Sequence, residues 1–256
     1  MMLWLFVIGF AASVFGSMVG LGGGFIVVPV LRIFLNMPPA EAAGTSLALV
    51  MTNSGSGALT YLLQRRVHLR TGWLVGAGAI PGGVLGAIAV KHTSPRLFDW
   101  LFAALLIGIA ADIFINRGKR TPDLARSENI SALKGMPWSR ALVVGFVVGF
   151  ISSLFGIGGG VILVPSLLYF SDLPAHAVSA TSHFGIILTS PLGFLTHVVQ
   201  HDIRWDDAVP LAIGGVLGGP VGARLSSRIR SQLLLVLVAA ALTLAAAALV
   251  FRHITG

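Results

Sequence analysis

GSMVGLGGGFIVVPVL, residues 16–31, puts Gly16, Gly20, Gly22, Gly23 and Gly24 into what its apolar neighbours make a first membrane-spanning helix. Glycine costs about 1 kcal/mol relative to alanine in a helix interior, so this density predicts that the helix is interrupted there. Backbone that leaves helical geometry inside a bilayer exposes N–H and C=O groups, each costing several kcal/mol unless buried in protein or facing a water-filled cavity. The break is therefore expected to line something polar.

The surrounding chain sets that context. It has 256 residues, 55% of them hydrophobic and 10% charged, with a mean hydropathy of +0.91, far outside the range of a soluble globular domain. Apolar stretches at residues 1–19, 42–63, 71–90, 97–115, 141–155, 177–199, 208–223 and 233–251 reach or approach the roughly 20 residues that span a hydrocarbon core. An all-α, multi-pass integral membrane protein is predicted. The N-terminal apolar run has no basic stretch before it and no clean cleavage signal, and is expected to be retained. A net charge of +8 would suggest nucleic acid in a soluble protein. Here the basic residues sit in short gaps between apolar segments, a pattern of membrane orientation, so no nucleic-acid partner is expected. The chain has no cysteine, which excludes disulfides, thiolate metal sites and thiol relays. Neither metal nor cofactor is predicted.

The glycine run recurs as SLFGIGGGVILVPSLL, residues 153–168. At an offset of 136 positions Gly20, Gly22, Gly23, Gly24 and Pro29 fall on Gly156, Gly158, Gly159, Gly160 and Pro165. The register continues through Pro38 on Pro174, Thr45 and Ser46 on Thr181 and Ser182, and Gly82, Gly83 and Gly86 on Gly218, Gly219 and Gly222; 25 of the 81 positions in residues 9–89 are identical without a gap. Glycines and prolines align as well as aliphatics do, so this is a duplication. Residues 1–115 form the first repeat, 116–140 a polar linker and 141–256 the second. Each repeat is expected to hold a glycine-broken pair of half-helices (4–19 and 25–35; 140–155 and 161–171) followed by three longer helices, the first of which opens at a proline, Pro38 or Pro174.

Arg65, Arg66 and Arg70 load the loop after the first long helix, whereas its counterpart, HDIRWDD, carries three aspartates against one arginine. Placing 65–70, the linker and 224–230 in the cytoplasm predicts inverted repeats. The glycine-broken pair then enters and leaves on one side, as a re-entrant hairpin or as two short spans.

Phe25 and Val161 would begin new helices after each glycine run. A helix N-terminus carries about half a positive charge and free N–H groups, which glycine lets an anion approach closely. Two such turns meeting near mid-membrane would hold an anion without a cationic side chain. The competing reading is that the glycines serve close helix packing.

GLGGGFIVVPVL and GIGGGVILVPSLL, each followed by Pro and then Thr-Ser (Pro38, Thr45, Ser46; Pro174, Thr181, Ser182), resemble the TauE/SafE family of membrane permeases, the sulfite exporter or toluene sulfonate uptake family. The resemblance covers both halves and nearly the whole chain. It implies bacterial inner-membrane transport of a small sulfur-containing anion, sulfite or an organosulfonate.

The candidate substrate-binding residues are Gly22, Gly23, Gly24, Gly158, Gly159 and Gly160, with Thr45, Ser46, Asn53, Thr181, Ser182, His183 and Thr189. Ser46, Asn53 and Thr60 repeat every seven residues, as do Ser182, Thr189 and Thr196, so each set keeps one helix face. Hydroxyl and backbone N–H donors suit sulfonate oxygens. His183 sits well inside this stripe, as an anion contact or a proton-coupling group, while His197 lies nearer the helix end, towards the interface. Arg32, Asp99 and Asp112 fall near segment ends and are expected to snorkel. A coupling proton or sodium ion and homo-oligomerisation are both compatible with the sequence. No metal-ligand spacing, nucleophile elbow or close acid–base pair is present, so an enzyme is not expected. A channel, or a carrier for another small anion or solute, is the alternative.

Overall fold

The computed structural model describes residues 2–115, 130, 133–226 and 231–255. Residues 116–129, 131 and 132 of the predicted linker lie outside the described residues, as do Arg228 and Arg230. The described residues form α1 (Met2–Val19), α2 (Gly24–Phe34), α3 (Pro39–Leu63), α4 (Leu69–Ala89) with a 3-10 turn (Val90–His92), α5 (Pro95–Ile115), α6 (Trp138–Phe155), α7 (Gly160–Phe170), α8 (Ala175–Val199), α9 (Trp205–Leu225) and α10 (Ser231–Thr255). Each helix of the first half begins 136 positions before its counterpart: Met2 and Trp138, Gly24 and Gly160, Pro39 and Ala175, Leu69 and Trp205, Pro95 and Ser231. Pro38 and Pro174 occupy the N-cap positions of α3 and α8, where a missing N–H costs nothing.

The glycine-broken pairs are unequal. α1 and α6 have 18 residues each, about 27 Å at 1.5 Å per residue, and count among the six described helices long and apolar enough to cross a membrane. α2 and α7 have 11 residues, about 16 Å, and are the true half-helices.

The halves interleave. α1 lies along α9 and α4 along α6, α3 packs on α9 and α4 on α8, and α3 meets α8 as α5 meets α10. Exchanging every helix with its counterpart leaves this set of partners unchanged, which describes a pseudo-twofold relation. Small residues make the long contacts. A Cβ on Gly218 would lie 2.6 Å from the Phe10 carbonyl oxygen, and one on Gly149 would lie 2.8 Å from the Ala79 Cα. For these glycines the packing reading holds.

At the α3–α8 contact Gly57 faces His183, Gly55 faces Ile187 and Gly44 faces His197, so these equivalent helices run antiparallel. The loop after α3 therefore meets the start of α8, where the Arg66 guanidinium donates to the His176 carbonyl at 3.5 Å. The loop after α8 meets the start of α3, where Arg204 pairs with Glu41 at 3.3 Å. The two equivalent loops, one basic and one acidic, sit at opposite ends of the bundle.

Large apolar side chains such as Trp73, Leu85, Ile107, Phe114, Val143 and Leu244 stay exposed on the outer faces, as lipid-facing positions do. Inside, Phe155 packs between Phe98 and Phe102 with ring centroids 5.1 Å apart in both pairs.

Arg32 and Asp99 do not snorkel: they are 3% and 1% exposed and face each other. Arg32 Nε donates to Asp99 Oδ1 at 2.8 Å and Nη2 to Oδ2 at 2.6 Å, with Nη1 donating to the Met37 carbonyl. The pair ties the end of half-helix α2 to the start of α5. Sequence position alone hid this, because the partners are 67 residues apart. Asp112, by contrast, is only half-buried and accepts from the Tyr169 hydroxyl at 2.5 Å.

Candidate functional site

α1 ends where Gly20 takes φ 90°, and the chain then turns through Gly22 (φ 83°) and Gly23 (φ 82°) to start α2. Gly156 (φ 73°), Gly158 (φ 79°) and Gly159 (φ 74°) repeat the path between α6 and α7. This left-handed backbone is what the glycine runs supply. The two turns pack against each other reciprocally. A Cβ on Gly24 would lie 2.5 Å from the Gly156 carbonyl oxygen, and one on Gly160 would lie 2.5 Å from that of Gly20. Val50 and the equivalent Ile186 lie over both Gly22 and Gly158, so aliphatic side chains fill the space between the turns. All six candidate glycines are buried together.

The polar candidates divide by what they touch. Ser182 Oγ donates to the Gly20 carbonyl at 2.7 Å, holding the other repeat's turn. Its counterpart Ser46 is fully buried, and its Oγ has no hydrogen-bond partner among the described residues. Asn53 Nδ2 donates to the Gly22 carbonyl at 2.9 Å, and its Oδ1 accepts from Ser17 Oγ at 2.7 Å. The Ser17 hydroxyl has spent its one proton on Asn53, so it accepts from His183 Nε2 at 3.0 Å. The Asn53 carbonyl, 3.3 Å from the same nitrogen, can only accept, which places the ring proton on Nε2. A directed chain thus runs from His183 through Ser17 and Asn53 to the first glycine turn. His183 Nδ1 has no partner among the described residues.

Three candidates serve elsewhere. Thr45 Oγ1 accepts from the Arg204 backbone N–H at 3.1 Å and Thr181 Oγ1 from that of His68 at 2.9 Å, so this pair anchors the two equivalent loops. Thr189 donates back to the Ile186 carbonyl at 3.2 Å. Other stripe hydroxyls do likewise, Thr60 to Ser56 and Thr196 to Leu192, as is usual for Ser and Thr in membrane helices.

Ser17 and Tyr61 were missed by the sequence reading. The Tyr61 hydroxyl donates to the Ser17 carbonyl at 2.6 Å, satisfying a terminal carbonyl of α1 just before the turn. The 136-residue offset carried the signal, since it aligns Ser17 with Ser153 and Tyr61 with His197. His197, near the end of α8, is 0% exposed, and its Nε2 donates to the Ser153 carbonyl at 3.0 Å.

At the basic end, His68 caps α4. Its Nδ1 lies 2.8 Å from Thr71 Oγ1 and accepts from the Thr71 N–H at 3.3 Å, while Thr71 Oγ1 accepts from the Met136 N–H at 3.3 Å. Burial holds the His68 imidazole below the ordinary histidine value, against the opposing pull of the Leu133 carbonyl. At neutral pH it therefore remains the neutral acceptor that this cap requires.

A bundle of long apolar helices, duplicated and carrying two buried glycine-broken turns at its centre, defines a multi-pass membrane transporter. The chain belongs to the sulfite exporter TauE/SafE family, whose sequence profile matches residues 5–249. It is 29% identical to the probable membrane transporter protein YunE of Bacillus subtilis, over 98% of this chain and 97% of the relative. A probable membrane transporter protein of Haemophilus influenzae is 29% identical over 86% of this chain and 83% of its own length. One of Methanocaldococcus jannaschii is 27% identical over 77% and 72% respectively.

Proposed function

We propose that this transporter is a permease of the bacterial inner membrane for a small sulfur-containing anion, sulfite or an organosulfonate. The observation that carries the reading is the reciprocal packing of the two glycine turns, each opening the first turn of a half-helix. The anion would be held by the N-terminal amides of α2 and α7, with Ser46, Asn53, Ser182 and His183 supplying or orienting further donors. Inverted repeats supply the alternating access, a topology supported by the antiparallel order of the α3–α8 contacts and by the opposed charge of the equivalent loops. With Val50 and Ile186 between the turns, substrate entry requires those two side chains to part.

The test is thermal stabilisation of the purified protein by sulfite, thiosulfate, sulfoacetate, taurine, phosphate and chloride. Sulfite or a sulfonate at about 100 times its Kd should stabilise by about 2.7 kcal/mol, with phosphate and chloride ineffective at the same concentration. Stabilisation by phosphate or chloride alone would replace this reading with a carrier or channel for that anion.

A further inference from the structure

The pseudo-twofold supplies its own control for a second site. In the first half the Tyr61 hydroxyl donates to the Ser17 carbonyl, and Arg66, brought back by the helix-ending turn at Arg65 (φ 53°), lies over the Tyr61 ring at 5.4 Å. In the second half the same backbone path, with His201 at φ 59°, brings Asp202 beside His197, which donates to the Ser153 carbonyl. A phenol beside a fixed guanidinium has thus been exchanged for an imidazole beside a carboxylate.

The chemistry of that exchange is specific. A carbonyl only accepts, so the bond to Ser153 commits the Nε2 proton of His197. Nδ1 is left facing Asp202 Oδ2 at 3.4 Å, a lone pair opposite a carboxylate oxygen. One added proton turns this opposition into a charge-assisted hydrogen bond. Asp202 Oδ1 faces Lys91 Nζ at 3.5 Å, and Lys91 also donates to the Gln200 carbonyl at 3.0 Å. With its amide oriented to suit its neighbours, Gln200 donates to Asp202 Oδ2 at 3.0 Å and to the Ala87 carbonyl at 3.2 Å. Among the other elements packed there, α3 brings Glu41 and α9 brings Asp207, both paired with Arg204 at 3.3 and 3.6 Å, while α6 presents Ser153. Lys91 is partly exposed, Asp202 is 8% exposed and His197 is fully buried, so the group grades from the protein surface inward. It ends on the carbonyl three residues before the Gly156 turn.

We propose that His197 and Asp202 form a proton-binding site peculiar to the second repeat, through which proton uptake acts on the 156–159 turn. The coupling half of this proposal rests on the transport reading above; the proton site does not. Full-length protein labelled with 15N at histidine, in detergent micelles, gives imidazole spectra from about pH 5 to 8.5. The resonance missing from His197→Gln belongs to His197; His197→Tyr, which copies Tyr61, serves for assignment if the glutamine variant does not insert. His197 is expected to exchange a proton within that range, with its midpoint displaced by about one pH unit or more in Asp202→Asn. A His197 resonance constant across the range, or a midpoint unmoved in Asp202→Asn, overturns the site.

Coupling is read in proteoliposomes with sulfoacetate, whose charge is constant near neutral pH. Uptake driven by an imposed proton gradient should fall about tenfold or more in Asp202→Asn, while exchange at equal pH persists. Equal loss of both overturns the coupling. Failure of the wild type to move any sulfonate or sulfite would overturn the substrate reading alone, leaving the proton site to the spectra.

Discussion

Gly24→Ala and Gly160→Ala should each destabilise the protein by about 1–3 kcal/mol and abolish transport, because the added methyl group has nowhere to go. Both positions begin helices and have no left-handed strain of their own, so the effect comes from packing, against the facing turn and against Val50 or Ile186. A Cβ at Gly24 would meet the Ile157 Cα at 2.8 Å as well as the Gly156 oxygen, and one at Gly160 would meet the Leu21 Cα at 2.6 Å. Backbone on both sides cannot swing aside as a flexible side chain would. Gly108→Ala is the control: a Cβ there meets nothing within 4 Å in the middle of α5. That variant should be neutral or more stable by up to about 1 kcal/mol. Thermal unfolding in detergent and flux in proteoliposomes check all three.

Asp99→Leu should cost about 3–5 kcal/mol, since it leaves the Arg32 guanidinium buried without its carboxylate. The forked geometry, two parallel N–H···O bonds at 2.8 and 2.6 Å, makes this a strong pair that cannot be replaced by water from outside. The double variant Arg32→Met with Asp99→Leu removes both charges and should recover most of the loss. Unfolding midpoints of the two single variants and the double one form the cycle. If the double variant is as unstable as Asp99→Leu, the pair contributes through packing rather than through charge. The second repeat has Leu168 at the position equivalent to Arg32, so this tie holds only the first half-helix.

The repeat, its 136-residue register and the glycine breaks were legible because they depend on backbone conformation, which glycine and proline disclose locally. The 18-residue length of α1 and α6 was less legible, since apolar composition does not say where a helix approaches the turn. The site's connections were hidden for a different reason. Ser17 meets His183 across 166 residues and Ser182 meets Gly20 across 162, contacts created by interleaving the repeats. Thr45 and Thr181 share their motif with Ser46 and Ser182 and sit one residue away, yet that residue turns them to the loops. His197 was placed nearer the surface by its position at the helix end. The returning loop, set by the positive φ of His201, covers it with Asp202. Aligning the two repeats residue by residue would have exposed the Tyr61–His197 and Arg66–Asp202 exchanges from sequence alone.

The proposed anion site and alternating access both require an inverted relation of the halves, and the absence of native cysteine makes that relation directly measurable. Arg70 and Asp206 are exposed, equivalent positions in the first turns of α4 and α9. Single-cysteine variants Arg70→Cys and Asp206→Cys can be treated in intact cells with a membrane-impermeant maleimide. Labelling of Asp206→Cys in intact cells, with Arg70→Cys reacting only after permeabilisation, is the predicted result; reaction of both from the same side would contradict the account.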